Sequence, residues 1–431
     1  MHHSPGMLTD RYELTMLSSW VTDGSVHHRA VFEAFARNLP EGRRYGLLGG
    51  LGRLLELIEG FRFTDEEVGW LHEQGVVSDA TADYLRGFRF TGDIDAYPEG
   101  DLYFPGSPIL TVTSTLGECI VLETLILSVL NHDSAIASAA ARMVTSAQGR
   151  PIVEMGTRRT HEQAAIASAR AAYVAGFGST SNLAAGRRYG IPTIGTAAHA
   201  FTLAHESEEA AFRSQVEAQG TDTTLLVDTF DIEDGIRTAV KVAGPDLGAI
   251  RIDSGDLAEE SRKARALLDD LGATETRIIV TSDLDEFVIT ALQDAPIDGY
   301  GVGTRLVTGS GHPTAAMVYK LVAVAGGPGA DAPLRAVAKK SAAKVSVGGR
   351  KSVHRAYADG VLTDEAFSVE DGESNVQVPA MRGGEIVHRP SLDEIREHAA
   401  HAIATLPDEA RDVAAGDPYL TVRLEGEGET P

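Results

Sequence analysis

The clearest regularity in the chain lies between residues 151 and 330, where short apolar runs alternate with longer mixed segments. The runs are PIVEMG from Pro151, AAYVAGFG from Ala171, IPTIGTAAH from Ile191, TTLLVDTFD from Thr223, GAIRIDSGD from Gly248, RIIVTSDLD from Arg277 and IDGYGVGTR from Ile297. Their starts are 20, 20, 32, 25, 29 and 20 residues apart. Each has strand length, and their ends are rich in Gly, Ser, Thr, Asp and His. Between them, residues 161–174, 206–218, 232–242, 257–271 and 285–293 predict helices, several with apolar positions three and four apart. Strand–helix alternation on this period predicts βα units on a parallel sheet. Seven units favour an irregular βα barrel, closed or nearly so, over an open doubly wound sheet. In such a barrel the polar strand ends meet at one mouth, so chemistry is sought there first.

The flanks follow a different pattern. Residues 46–61 and 64–86 predict helices, and residues 92–115 carry Tyr, Val, Ile, Thr, Gly and Pro at strand-and-turn spacing. After the Gly/Pro loop AGGPGADAP, residues 334–390 again predict short strands, and 392–406 an amphipathic helix capped by Ser391. The fold class expected is therefore α/β: an irregular βα barrel with a flanking α+β domain built from both chain ends. The expected divisions are 1–120, 121–330 and 331–431.

Charge narrows the partners. The 431 residues hold 38 Lys+Arg against 62 Asp+Glu, a net −24, which repels nucleic acid and anionic membranes at long range. One cysteine, Cys119, excludes an intramolecular disulfide framework and a multi-cysteine zinc site, and suits a reducing cytoplasm. The N-terminus lacks the cationic start and long apolar core of a signal peptide. The most apolar stretch, 120–130, is interrupted by Glu123 and too short to span a bilayer.

Several strand ends could carry chemistry. In RIDSGD, alternation puts Arg251 and Asp253 on one side, with Ser254 and Asp256 close by. Asp253 and Asp256 could accept ribose hydroxyls or hold a divalent cation, although Asp256 could equally cap the next helix. In GVGTR (301–305), Gly303 and its neighbours let backbone N–H groups approach an anion, and Thr304 adds a hydroxyl; a plain tight turn is the alternative. GTAAH places Thr196 near His199, a histidine that could be a base, a phosphoryl acceptor or simply structural. Arg158 and Arg159 suit carboxylate or phosphate recognition, or salt bridges to local glutamates. Finally, residues 335–355 contain seven Lys/Arg and no acid. They read as a solvated basic strand pair or as a loop gripping a polyphosphate.

Taken in order, LTDRYELTM, EMGTRR, GFGSTSN, GTAAHAF, LLVDTFD, RIDSGD, GVGTRL, YKLV, the KKSAAK…GRK loop and PSLDEIR closely resemble the nicotinate phosphoribosyltransferase family. The resemblance implies ATP-dependent formation of nicotinate mononucleotide and diphosphate from nicotinate and 5-phosphoribosyl 1-diphosphate, in NAD salvage. It implies Tyr12 stacked on the pyridine ring, Thr196 and Arg251 on nicotinate, and His199 phosphorylated by ATP, with Asp253 beside it in the catalytic set. Arg158, Ser254, Asp256, Gly303, Thr304 and Lys340 would hold the phosphoribosyl donor. Mg²⁺ would accompany it near Asp253 and Asp256, with no site fixed by protein alone. A cytoplasmic homodimer with shared active sites is implied, binding neither nucleic acid nor membrane. One departure is Gly348-Gly349 where the family's basic loop has Pro-Gly, which would loosen the placement of Arg350 and Lys351.

Overall fold

In a computed structural model of the chain, which describes residues 4–329, 332–338, 347–369, 372 and 374–425, the central runs pair in one six-stranded sheet whose ladders are all parallel. Its strands are β1 (Ile152–Glu154), β2 (Ser179–Thr180), β3 (Thr224–Leu226), β4 (Ala249–Ile252), β5 (Arg277–Val280) and β6 (Gly299–Val302). Their order in the sheet is β2-β1-β6-β5-β4-β3. This is the cyclic order of a βα barrel, cut between β2 and β3. At the cut, the third apolar run adds one parallel bridge, Thr193 to Thr180, in place of a strand. Pro192 in that run has no N–H to give a ladder, although its carbonyl accepts from the Thr180 amide at 3.0 Å. Among the described residues no ladder joins this segment to β3, so the sheet is curled but open.

The intervening helices are Glu162–Ala175, Glu208–Gln219, Ile232–Ala243, Leu257–Asp270 and Glu286–Ala291. The alanine-rich start of the second run remains helical, since alanine is the best helix former; the helix ends only at Gly176, with φ +121°. Polar residues at the strand ends start the next helices. Ser207, Asp231, Asp256 and Asp285 each accept first-turn amides with their side chains, which satisfies donors that have no intrahelical partner.

The flanking unit comprises residues 1–135 and 314–431, and the barrel unit residues 136–313. The dividing points lie at 135, within a helix, and at 313, rather than at the expected 120 and 330. Helix Glu123–Ala147 runs without a break through residue 135, and strand Met317–Pro328 belongs to the flanking sheet. That sheet is antiparallel and has seven strands, in the order Leu334–Ala336, Met317–Pro328, His28–Ala36, Pro108–Thr115, Asp93–Ala96, Val378–Arg382 and Glu385–Ile386. Early and late strands interleave, so neither chain end completes the sheet alone. Phe32, Ile94, Leu110, Val112, Tyr319 and Met381 are buried in its core. The Phe32 and Tyr319 rings, on paired strands, stack at 4.9 Å. Segment Leu116–Ala147 is long and apolar enough to cross a membrane by composition, but 67% of its most apolar window is buried inside the protein, as in a core helix.

Candidate active site at the strand ends

Strand alternation does place Arg251 and Asp253 on one side at the end of β4. The Arg251 guanidinium donates from Nε to Thr281 Oγ1 at 2.8 Å and from Nη1 to Thr196 Oγ1 at 2.8 Å. Its Nη2 lies 3.3 Å from Asp253 Oδ1. The Thr281 hydroxyl donates to that same carboxylate oxygen. Arg251 is thus clamped by groups from three strand ends, with only 13% of its side chain exposed. Nη1 also donates to the Ala197 carbonyl at 3.5 Å, so the capacity this planar fork keeps for a ligand carboxylate lies at Nη2.

Beside it, at the end of β3, Asp228 is buried. Its Oδ2 accepts from the Asp253 amide at 2.9 Å and the Ser254 hydroxyl at 2.7 Å. Its Oδ1 is buried with no hydrogen-bond partner, 3.9 Å from His199 Nδ1. His199 opens the short helix His199–Leu203 and is 43% exposed. Its Nδ1 lies 3.3 Å from Thr229 Oγ1, and its Nε2 is 3.9 Å from Asp253 Oδ2. The imidazole therefore sits between two carboxylates, both just beyond hydrogen-bond range. A buried acceptor left open beside a titratable ring is uncommon in a structural role.

Arg251, Asp253 and Thr281 border a cavity of about 220 Å³ that opens to solvent. Arg158 and Arg159, on the turn Thr157–Arg159, supply one wall, and Gly303 and Thr304 another. The third wall is Thr281, Ser282 and Asp283. A regular strand would turn every second side chain away. The chain bends at Ser282, whose φ of +137° is costly for any residue with a Cβ. Gly301 also lines the cavity; a Cβ there would come within 2.5 Å of Thr281 Cγ2 and 2.8 Å of Met155 Sδ. Glu154, fully buried on β1, accepts from the Gly156 amide and the Thr180 hydroxyl, anchoring the chain just ahead of the arginine turn. Burial pushes its carboxyl above the usual range, and those two hydrogen bonds only partly offset this.

Of the residues expected to act together, Thr196, Arg251, Asp253 and Ser254 form one network through Thr281 and Asp228, and His199 stands 3.9 Å from its two carboxylates. Arg158, Gly303 and Thr304 join them at the cavity through its lining. Neither Arg158 nor Arg159 pairs with a carboxylate among the described residues. Asp256 caps helix Leu257–Asp270, its Oδ1 accepting from the Ala258 and Glu259 amides at 3.1 Å each, and it does not line the cavity. Tyr12 lies in the flanking unit on helix Arg11–Asp23, 45% exposed. Lys340 falls outside the described residues. No cluster of three or more metal-ligating side chains occurs among the described residues.

Asp228, Thr229, Thr281, Ser282 and Asp283 were not singled out from the sequence. All stand at the ends of apolar runs, in LLVDTFD and RIIVTSDLD, so extending the strand-end rule to every run would have found them.

The basic segment requires a correction. Arg350 pairs with Asp95 at 2.9 Å. Lys351 is buried against Glu33 at 2.6 Å. Arg355 is buried between Asp101 at 2.6 Å and Glu365 at 2.7 Å. Lys351 and Arg355 are therefore buried against the flanking unit's own carboxylates and are neither solvated nor a polyphosphate grip, whereas Arg350, 54% exposed, makes a solvated surface pair. Glu33, Asp95 and Asp101 lie far away in sequence, and Glu365 faces Arg355 from the paired strand just beyond the basic segment, so a charge count within the segment read these cations as unpaired.

The chain matches the family model described as the nicotinate phosphoribosyltransferase N-terminal domain over residues 7–131, and that of the nicotinate phosphoribosyltransferase family over residues 151–370. It is 53% identical over 434 residues to a nicotinate phosphoribosyltransferase of Mycobacterium tuberculosis, covering 97% of this chain and 95% of that protein. To one of Bacillus subtilis it is 40% identical, covering 80% and 72%. Its fold is similar to the crystal structure of human nicotinic acid phosphoribosyltransferase, with TM-score 0.80 and 23% identity over 96% of this chain and 97% of that one.

Proposed function

The chain belongs to the nicotinate phosphoribosyltransferase family, and we infer from the geometry at the strand ends how it works. It is an enzyme of NAD salvage that joins nicotinate to the ribose 5-phosphate group of 5-phosphoribosyl 1-diphosphate, releasing diphosphate.

The observation that carries the site assignment is the clamped Arg251. Its remaining N–H donors, beside Thr196, pair with the carboxylate of nicotinate. Nicotinamide offers no such charge. With the ring so held, the pyridine nitrogen already has a lone pair and needs no general base. It attacks the anomeric carbon as diphosphate departs, through a transition state with oxocarbenium character. Catalysis then rests on positioning and on neutralising the leaving group. The donor occupies the cavity, its phosphates toward Arg158, Gly303 and Thr304 and its ribose toward Asp253 and Ser254. Mg²⁺ would enter with the diphosphate as part of the substrate and help neutralise the leaving group; Asp253, which lines the cavity, would be its carboxylate partner, whereas Asp256 already caps a helix.

ATP phosphorylates His199. The Nδ1 edge faces Thr229 and the open oxygen of Asp228, which favours the tautomer with its proton on Nδ1 and a lone pair on Nε2. A ring nitrogen then attacks the γ-phosphorus, a P–N bond forms and ADP leaves. The added negative charge acts on nearby basic groups around the donor. Tyr12, exposed on its helix, serves the ring of a nicotinate bound in a second copy, which makes the working unit a homodimer. A cytoplasmic setting agrees with a single, fully buried thiol, Cys119.

Purified protein supplied with nicotinate, the donor, Mg²⁺ and ATP is expected to form nicotinate mononucleotide. Product from nicotinamide but not nicotinate would overturn the carboxylate role of Arg251. No product with any pyridine would leave a binding protein only. For His199, His199→Ala should abolish phosphoprotein formation and ATP stimulation; ATP dependence that persists in that variant would refute phosphoryl transfer through this ring.

A further inference from the structure

We propose that Ser310 and Glu286 form a strut that sets the separation between two walls of the donor cavity, making Ser310 a positioning residue for the phosphoribosyl donor; this deepens, and rests on, the reading of the cavity as the donor's site. The wall carrying Thr304 belongs to a helix of only four residues, Thr304–Val307. So short a helix has little stability of its own. The residues just after it must hold it. The Thr308 hydroxyl donates back to the carbonyls of Thr304 at 2.9 Å and Arg305 at 3.3 Å. The chain then turns through Gly309, Ser310 and Gly311, with φ values of +62°, +53° and +87°.

Three successive left-handed residues are rare, and the middle one is not glycine. Ser310, at φ +53° and ψ +44°, occupies a conformation that a Cβ disfavours. It is kept there by a hydrogen bond from its hydroxyl to Glu286 Oε2, at 2.6 Å. Glu286 is itself fixed. It is 2% exposed, and its other oxygen accepts from Arg142 Nε at 3.1 Å. The Arg142 guanidinium also lies over the Phe287 ring, 5.7 Å from its centroid.

Glu286 begins the helix that follows Ser282 and Asp283, which form the opposite cavity wall. A second tie runs the same way, from Arg305 Nε to Asp285 Oδ2 at 4.0 Å. The loops after β5 and β6 are therefore joined twice, once through a charge-assisted hydrogen bond to a buried carboxylate. A strained residue held by a buried carboxylate beside a ligand cavity is what a site needs if its width must be preset.

The test measures donor affinity by calorimetry, and KM for donor and nicotinate together with kcat, in the wild type, Ser310→Ala, Ser310→Gly and Glu286→Gln. Ser310→Ala keeps the backbone strain and loses the bond. Donor affinity should fall about tenfold, as expected for a hydrogen bond to a charged group, while nicotinate KM and kcat stay within about twofold. Ser310→Gly also loses the bond but takes the left-handed turn freely, so it should bind donor more tightly than Ser310→Ala. Glu286→Gln keeps an acceptor without the charge and should fall between wild type and Ser310→Ala. Unchanged donor affinity in Ser310→Ala, or an equal rise in both KM values, would overturn the strut. Donor binding that weakens in Ser310→Ala, in a protein that transfers nothing to nicotinate, would uphold the strut and sink the transfer reading instead. If Ser310→Ala does not fold, the glycine and glutamine variants carry the same comparison.

Discussion

Two groups in this protein, each an arginine among carboxylates, contain the same chemistry and do opposite things. In the flanking unit, Arg355 donates from Nε to Glu365, from Nη1 to Asp101 and from Nη2 to the Leu102 carbonyl at 2.6 Å; only 5% of its side chain is exposed. Its donors are spent on the protein. At the barrel's strand ends, Arg251 is held as firmly; both arginines border a cavity, but that of Arg251 is also lined by Arg158 and Arg159, which pair with no carboxylate among the described residues. Near it Asp228 Oδ1 has no partner, and His199 stands 3.9 Å from two carboxylates. The difference lies not in residue type or charge but in unspent hydrogen-bonding capacity facing an open volume. That separates an ion pair that holds a fold from one that meets a ligand.

The sharpest way to break this comparison is to remove the saturated cation. Arg355→Met leaves Asp101 and Glu365 buried together without a counter-charge. Stability should fall by about 3–5 kcal/mol, read as a lowered melting temperature, with little change in nicotinate KM for the protein that folds. A large KM change with unaltered melting would erase the distinction. The complementary change, Arg251→Lys, keeps the charge but loses the planar fork. It should cut kcat/KM for nicotinate by about a hundredfold or more and barely move the melting temperature.

Smaller effects arise from pH. Glu33 is held above the usual carboxylate range, chiefly by burial, although Lys351 draws it down. A carboxyl whose folded pKa is raised keeps its proton after the unfolded chain has lost it. Its contribution to stability is therefore lost as pH rises through that window. Lys351→Met removes the opposing cation, so the melting temperature should fall more steeply with pH than in the wild type; a parallel profile would exclude the coupling. In the barrel unit, burial, with Asp234 and Asp231 nearby, raises Glu208 to about 7. Glu208→Gln should flatten the decline in melting temperature between pH of about 4.5 and about 7, the smallest of the four effects because the group is partly solvated.

Much of this was legible in the residues themselves. The period of the apolar runs gave the parallel sheet. Alternation put Arg251 and Asp253 on one side, and the ordered motifs pointed to Thr196, His199 and Thr304. The basic segment misled because, apart from Glu365 on the strand paired with Arg355, its partners leave no local sign. Glu33, Asp95 and Asp101 precede it by hundreds of residues. The third run failed as a strand through one proline, whose effect depends on what lies beside it.

What the sequence determined by itself was therefore local and periodic: which segments are strands and helices, and which polar residues stand at strand ends, because side-chain direction repeats with the backbone. Tertiary structure decided which polar groups spend their hydrogen bonds on one another and which keep them for a ligand. It alone set the left-handed turn at Ser310 against Glu286 and buried Arg355 between its acids. Such matters depend on distances between residues remote in the chain, and no local pattern encodes them.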